Sequence, residues 1–152
     1  MNLSKRLQII ASFVPDNVYL LDVGCDHALL DIYLMQTRKN IKIIASDINP
    51  NPLKIAQANL NKYNLNNKIE LKQMNGLDNI NPNINCLVIA GMGGILITDI
   101  LQQEKLTNIK TIILAPNNDF PIVRKHLNKL GYKIIKEQIV IDNKKTYLIL
   151  YL

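Results

Sequence analysis

The sequence predicts an α/β fold, a doubly wound and mostly parallel seven-stranded sheet that closes with a C-terminal antiparallel hairpin. Three features of the 152 residues point there. Apolar runs of strand length alternate with stretches of helical period, as in a parallel sheet covered on both faces. The first five runs each end at a glycine, an acid or an asparagine, the residues that loops at one sheet edge would bring together. The last two runs are joined by a turn too short for a crossover, so they must be antiparallel.

The elements follow in order. Leu3, Leu7, Ile10 and Val14 recur at helical spacing, so the chain opens with an amphipathic helix that Pro15 ends. VYLLDV (18–23) is a buried strand, and a helix runs from Ala28 to about Gln36. IKIIAS (41–46) is a second strand, ending at Asp47. After Pro50 and Pro52, the residues Leu53, Ala56, Leu60 and Tyr63 mark one helix face. KIELKQM (68–74) alternates like a strand and stops at Asn75–Gly76. INCLVIA (84–90) ends in GMGG, and ILITDILQQ (95–103) continues as a helix. IKTIILA (109–115) ends at Pro116–Asn117. Phe120, Val123, Leu127 and Leu130 give a helix stopped by Gly131. The tail from Tyr132 reads as two strands around an Asp142–Asn143 turn.

Composition narrows the class. The length suits one domain, residues 1–152, with one sizeable core. Hydrophobic residues at 48% and charged residues at 20% are ordinary for a globular protein. No apolar run approaches the roughly 20 residues of a membrane span, and no long apolar segment follows the N-terminal MNLSKRLQII. A cytoplasmic location, no membrane partner and a monomer are the expectations. Cys25 and Cys86 have no partner spacing, and two His and two Cys without ligand spacing predict no metal site. A net charge of +6 favours an acidic partner, nucleic acid above all. Lys and Asn are abundant along the whole chain, however, so a solvated helix face is the favoured reading of any single lysine.

The first strand-to-helix turn, LLDVGCDHALLD (20–31), has the layout of a nucleotide loop but the wrong residues for a phosphate. Dinucleotide binding asks for G-x-G-x-x-G, and here Asp26 and Leu29 replace the later glycines. A carboxylate beside a pyrophosphate repels it, and there is no phosphate loop of the G-x-x-x-x-G-K-[ST] kind. S-adenosyl-L-methionine has no phosphate and carries a cationic ammonium and sulfonium, which carboxylates favour. Asp47 lies about 20 residues on, where such folds place the acid that holds a ribose. It also suits a turn before Asn49–Pro50. Asn75 to Asp78 would flank an adenine or form a simple turn. GMGG lets backbone approach a ligand or cross close to the first loop, or it makes a tight helix–sheet contact.

DVGCDHALLD, SDINP, NGLD, VIAGMGG and ILAPNN, in that order, resemble the bacterial TrmK-type tRNA (adenine-22-N1)-methyltransferases over nearly the whole chain. Two small departures are Cys25, where a small polar residue is expected, and Ala115, where Gln is common. The resemblance implies a Rossmann-like class I methyltransferase that uses S-adenosyl-L-methionine to methylate N1 of an adenine, A22 in the D-arm region, of tRNA. It implies cofactor-binding positions at Asp22, Gly24, Cys25, Asp26, His27, Asp47, Ile48, Asn75, Gly76, Ala90, Gly91, Met92 and Gly93. The family continues into a helical, coiled-coil-like domain that helps to hold tRNA, which residues 1–152 are expected to lack.

Neutral adenine N1 already offers its lone pair, so no base is needed, and the protein's work is placement of an exposed or flipped base. Positive charge then develops on the ring. Asp26 is the candidate catalytic carboxylate to stabilise it, with holding the cofactor ammonium as the equal alternative. Asn117 matches the adenine edge, or it caps the next helix with Asn118 and Asp119 as rivals. Asp22 would organise the loop. His27 would touch substrate or cap the following helix. Cys25 has no base partner and reads as a space-filler rather than a nucleophile. Lys5, Arg6, Arg124, Lys125 and Lys129, with Lys133 and Lys144–Lys145, are candidate RNA contacts. The alternatives are a methyltransferase with another acceptor and a non-catalytic cofactor- or RNA-binding module.

Overall fold

A computed structural model describes residues 1–152. Its elements are α1 (Lys5–Phe13), β1 (Tyr19–Val23), α2 (Leu29–Thr37), β2 (Lys42–Asp47), α3 (Pro50–Lys62), β3 (Ile69–Gln73), β4 (Cys86–Ala90), α4 (Gly94–Ile100), β5 (Thr111–Ala115), α5 (Phe120–Lys129), β6 (Lys136–Asp142) and β7 (Lys145–Tyr151). They build one seven-stranded sheet in the order β3-β2-β1-β4-β5-β7-β6. β3, β2, β1, β4 and β5 are parallel, while β7 runs antiparallel to both β5 and β6. The doubly wound sheet with one reversed strand is therefore as expected. No helix is long and apolar enough to cross a membrane.

The central strands are mostly apolar because both faces are covered. Side chains alternate across the sheet, so Leu20 joins the core under α1, α2 and α3 while its neighbour Leu21 joins the core under α4 and α5. On the first face Ile10, Ile32, Leu34 and Leu60 are the large buried helix residues. On the second they are Ile97, Val123 and Leu127, with Leu101 just past the end of α4. Asp22 lies two residues past Leu20 and so shares the face of α2, a placement that matters below.

Local chemistry explains the ends. Ser4 Oγ accepts the Leu7 N–H at 3.3 Å and starts α1. α3 begins at Pro50, a turn earlier than its apolar face suggests, because a first-turn proline has no N–H to leave unpaired. α4 stops at Ile100, short of the expected Gln103, and a 3₁₀ turn at Gln103–Lys105 follows. The hairpin turn is Asn143–Lys144 rather than Asp142–Asn143. Both residues are left-handed, with φ of 49° and 64°, as the tightest hairpins require. Asp142 stays in β6, where its carboxylate accepts the Arg6 N–H of α1 at 3.1 Å.

Candidate active site

The order of the sheet reverses between β1 and β4, and there the βα loops part to leave a cavity of about 490 Å³. Its wall comes from the loops after β1, β2, β3 and β4, with α4 and the start of α1 closing the sides. Such a volume suits a small organic ligand.

The loop after β1 is tightly wound. The Gly24 and Cys25 N–H groups both donate to the Ser46 carbonyl at 2.8 Å, tying the end of β1 to β2. Gly24, Asp26 and Ala28 are all left-handed, with φ of 77°, 52° and 61°. A side chain at Gly24 would collide with Met92 of GMGG, so the first and fourth loops do cross closely. Asp47 fastens the same loop from below. One of its oxygens accepts the Asn49 N–H at 3.0 Å and the other the Asp26 N–H at 3.3 Å. Each oxygen retains accepting capacity towards the cavity, so the turn role and the ribose role are compatible.

Asp26 projects into solvent at the cavity, its side chain 73% exposed, with His27 Nε2 at 3.5 Å. His27 does not cap α2: the N-cap is Ala28, left-handed and without a side-chain bond. The His27 ring instead faces Asp26, and its carbonyl accepts from Asn59 Nδ2 at 2.9 Å. Asp22 is buried at 4% exposure yet reaches the wall, and burial pushes its carboxyl up to about 7. Burial first, then neighbouring acids led by Asp22, push the Cys25 thiol far above its ordinary value. A thiol so surrounded stays protonated, in keeping with a space-filler.

Asp22, Gly24, Cys25, Asp26, His27, Asp47, Ile48, Asn75, Gly76, Ala90, Gly91 and Met92 all line the cavity. Gly93 does not. It is the N-cap of α4, and a side chain there would point at Asn118 Oδ1, 3.2 Å away. Asn75–Gly76 is both a turn, closed by the Asp78 N–H on the Asn75 carbonyl at 3.0 Å, and part of the wall. Asp78 turns away to pair with Lys105 Nζ at 2.7 Å. Asn117 stands outside the wall, exposed, its N–H donated to the Met92 carbonyl at 2.8 Å. Neither it nor Asn118 caps α5. The N-cap is Asp119, and Asn118 Oδ1 accepts the Gly94 N–H at 3.0 Å.

Of the basic candidates only Arg6 reaches the cavity. Its guanidinium lies 4.9 Å above the Tyr147 ring and approaches Gly91. Lys5 is exposed beside it. Arg124 is engaged in an ion pair with Glu137. Lys125 and Lys129 follow α5 away from Asn117, and Lys129 in the last turn lies about 13 Å down the axis from Phe120 at 1.5 Å per residue. Wall residues that sequence reasoning passed over include Leu30, Asn49, Met74, Leu96 and Ile100. Leu96 and Ile100 sit four apart on α4, an i, i+4 face behind GMGG that could have signalled them.

The methyltransferase-domain family profile matches residues 3–150. The chain is 37% identical to a Bacillus subtilis protein named tRNA (adenine(22)-N(1))-methyltransferase, an alignment that covers 99% of this chain and 64% of that protein. It is 36% identical to a putative tRNA methyltransferase of Mycoplasma genitalium, over 97% of this chain and 68% of that one. Among solved structures, a putative tRNA (m1A22) methyltransferase of Streptococcus pneumoniae in complex with S-adenosyl-L-methionine superposes with a TM-score of 0.93 at 39% identity. That superposition covers 99% of this chain and 72% of the other. The chain thus spans a little under two thirds of the Bacillus subtilis relative.

Proposed function

The chain belongs to the TrmK-type class I methyltransferases, and from that premise we propose that it methylates N1 of adenine 22 in tRNA with S-adenosyl-L-methionine. The observation that carries the reading is the acidic glycine turn: Asp22, Asp26 and Asp47 converge on one cavity in which Arg6 is the only Lys or Arg. Such a wall favours a cationic ligand and repels a diphosphate.

The residues present fit this cofactor. When bound, S-adenosyl-L-methionine supplies an electrophilic methyl group on a sulfonium, which passes to a nucleophile without a metal or a base. Asp22 and Asp26 would hold its positive charges, and Asp47 would accept its ribose hydroxyls. Ile48, Met74 and the Asn75–Gly76 backbone would flank its adenine. Leu96, Ile100 and Met92 keep water from the reacting side. Asp26, exposed at the cavity, would stabilise the positive charge that develops on the target ring. Asn117 stands next to the wall for the edge of that ring.

Arg6 and Lys5 begin the path for the RNA backbone, with Lys125 and Lys129 as more distant contacts. A tRNA substrate would place the reaction in the cytoplasm.

The test is incubation of tRNA with labelled cofactor, followed by mapping of the methylated base. Methyl at N1 of adenine 22 is the expected result. Cofactor binding without transfer would make this a binding module, and methyl at another acceptor would redirect the substrate. Asp26→Ala should slow transfer roughly tenfold to thirtyfold, less than a dry-site donor costs because water screens an exposed carboxylate. Cofactor affinity should change less than about threefold, since Asp22 remains. Unchanged transfer in that variant would remove Asp26 from the chemistry.

A further inference from the structure

Asp31 is the third residue of α2, the acid of its opening LLD, and nothing in the mechanism above uses it. It is wholly buried, at 0% exposure, in the first-turn region of α2. Neither of its carboxyl oxygens has a hydrogen-bond partner among the N–H and O–H donors of the chain. No cation pairs with it. The group it meets is the Asp22 carboxyl, which lines the cavity that Asp31 does not reach. Two carboxylates facing each other in a dry site repel, so one of the two must carry a proton, and that proton makes the bond between them.

The positions decide which one. Asp22 borders the cavity, where water or a cationic ligand can meet its charge, whereas Asp31 borders only packed side chains and Asp22. We propose that Asp31 is a positioning residue: it stays a neutral acid and donates its O–H to Asp22, aiming that carboxylate at the ammonium of the cofactor. The second half of this inference rests on the functional reading above, and the first half does not. Burial and the Asp22 charge hold Asp31 well above the ordinary carboxylate range, in keeping with the neutral role.

The surroundings of Asp22 set the expected pH dependence. Asp31 meets it from α2, Asp47 acts on it from the end of β2 and the Cys25 thiol adjoins it in the loop after β1, while Asp26, His27 and Arg6 line the same cavity. The neighbouring strand β4 pairs Val88 with Asp22 and adds no charge. With its carboxyl up at about 7, Asp22 is neutral below that pH and ionised above it. A cationic ligand favours the ionised form. Affinity should therefore rise as pH increases through about 7, and binding below that pH should release a proton to the buffer.

Two measurements test this. Infrared spectroscopy of the free protein at about pH 8, where ordinary carboxyls are ionised, should show one protonated-carboxyl C=O band that Asp31→Asn removes. Absence of that band in the unsubstituted protein overturns the proposal without any variant having to fold. Calorimetric titration with S-adenosyl-L-homocysteine, which keeps the ammonium, should then separate two substitutions. Asp31→Asn retains an N–H donor and should bind within about threefold of the parent with the same pH midpoint. Asp31→Leu has no donor and should bind roughly tenfold more weakly at neutral pH, its midpoint moved up by about one unit. Equal pH profiles for the parent and Asp31→Leu would defeat the proposal. Failure of the parent to bind the ligand at all would defeat the functional reading and leave the infrared result standing.

Discussion

Asp47→Ala should weaken the binding of S-adenosyl-L-methionine by roughly 100-fold, about 2.7 kcal/mol, while the sheet survives. Two losses add. The first is the acceptor for the ribose hydroxyls, and hydrogen bonds to a charged group contribute about 1.5–3 kcal/mol each. The second is the fastening of the first loop, because Asp47 takes the Asp26 and Asn49 N–H groups on its two oxygens. Without it the left-handed Asp26 and Ala28 lose the bond that holds their turn against β2. Asp47→Asn should fall between, since its amide nitrogen cannot accept either N–H. Calorimetric titration measures both, and a loss below about threefold for the alanine variant would take the ribose and loop roles away from Asp47 together.

Gly94→Ala should destabilise the domain by about 2–3 kcal/mol, the range of overpacking in a closed contact. A Cβ at Gly94 would stand 2.6 Å from the Asn118 carbonyl oxygen, 2.9 Å from Asp119 Cβ and 2.9 Å from Val123 Cγ2. The first of these is backbone and cannot rotate aside. Propensity alone has the opposite sign: alanine is favoured over glycine by about 1 kcal/mol in a helix interior and by less at the first position, where Gly94 stands. A fall in Tm of roughly 5–10 °C is expected for a domain of this size, and an unchanged or higher Tm would mean that α4 and α5 have room to separate. Gly131→Ala is the matched control. Nothing lies within 4 Å of its Cβ, so only the φ of 83° resists, and the loss should be near 1 kcal/mol.

GMGG shows how far one stretch of sequence can be read. Three glycines at a strand end implied a close approach of some kind, with a ligand, the first loop or a helix as options. The structure divides the glycines among these: Gly91 lines the cavity beside Met92, which meets the first loop at Gly24, and Gly94 packs against the loop before α5. The motif was visible because a glycine requirement is local, and the division was not because its partners lie 24 residues or more away. Arg6 and Lys125 make the same point for charge. Both read as basic residues on helix surfaces, and only the docking of α1 against β6 and β7 carries Arg6 to the cavity. His27 was misread as a possible cap because the left-handed turn at Ala28, which moves the helix start by one residue, has no signature in residue type.

The sequence by itself determined the element order, the parallel sheet with a reversed strand and the acidic character of the cofactor loop. Each depends on neighbours within a few residues, through the 3.6 and 2.0 periods and the conformations open to glycine. Tertiary structure alone decided that β7 enters between β5 and β6, leaving β6 as the edge, and that Asp31 is sealed against Asp22. Strand order and the cost of a buried charge are both set by residues distant along the chain that meet only once the layers have packed.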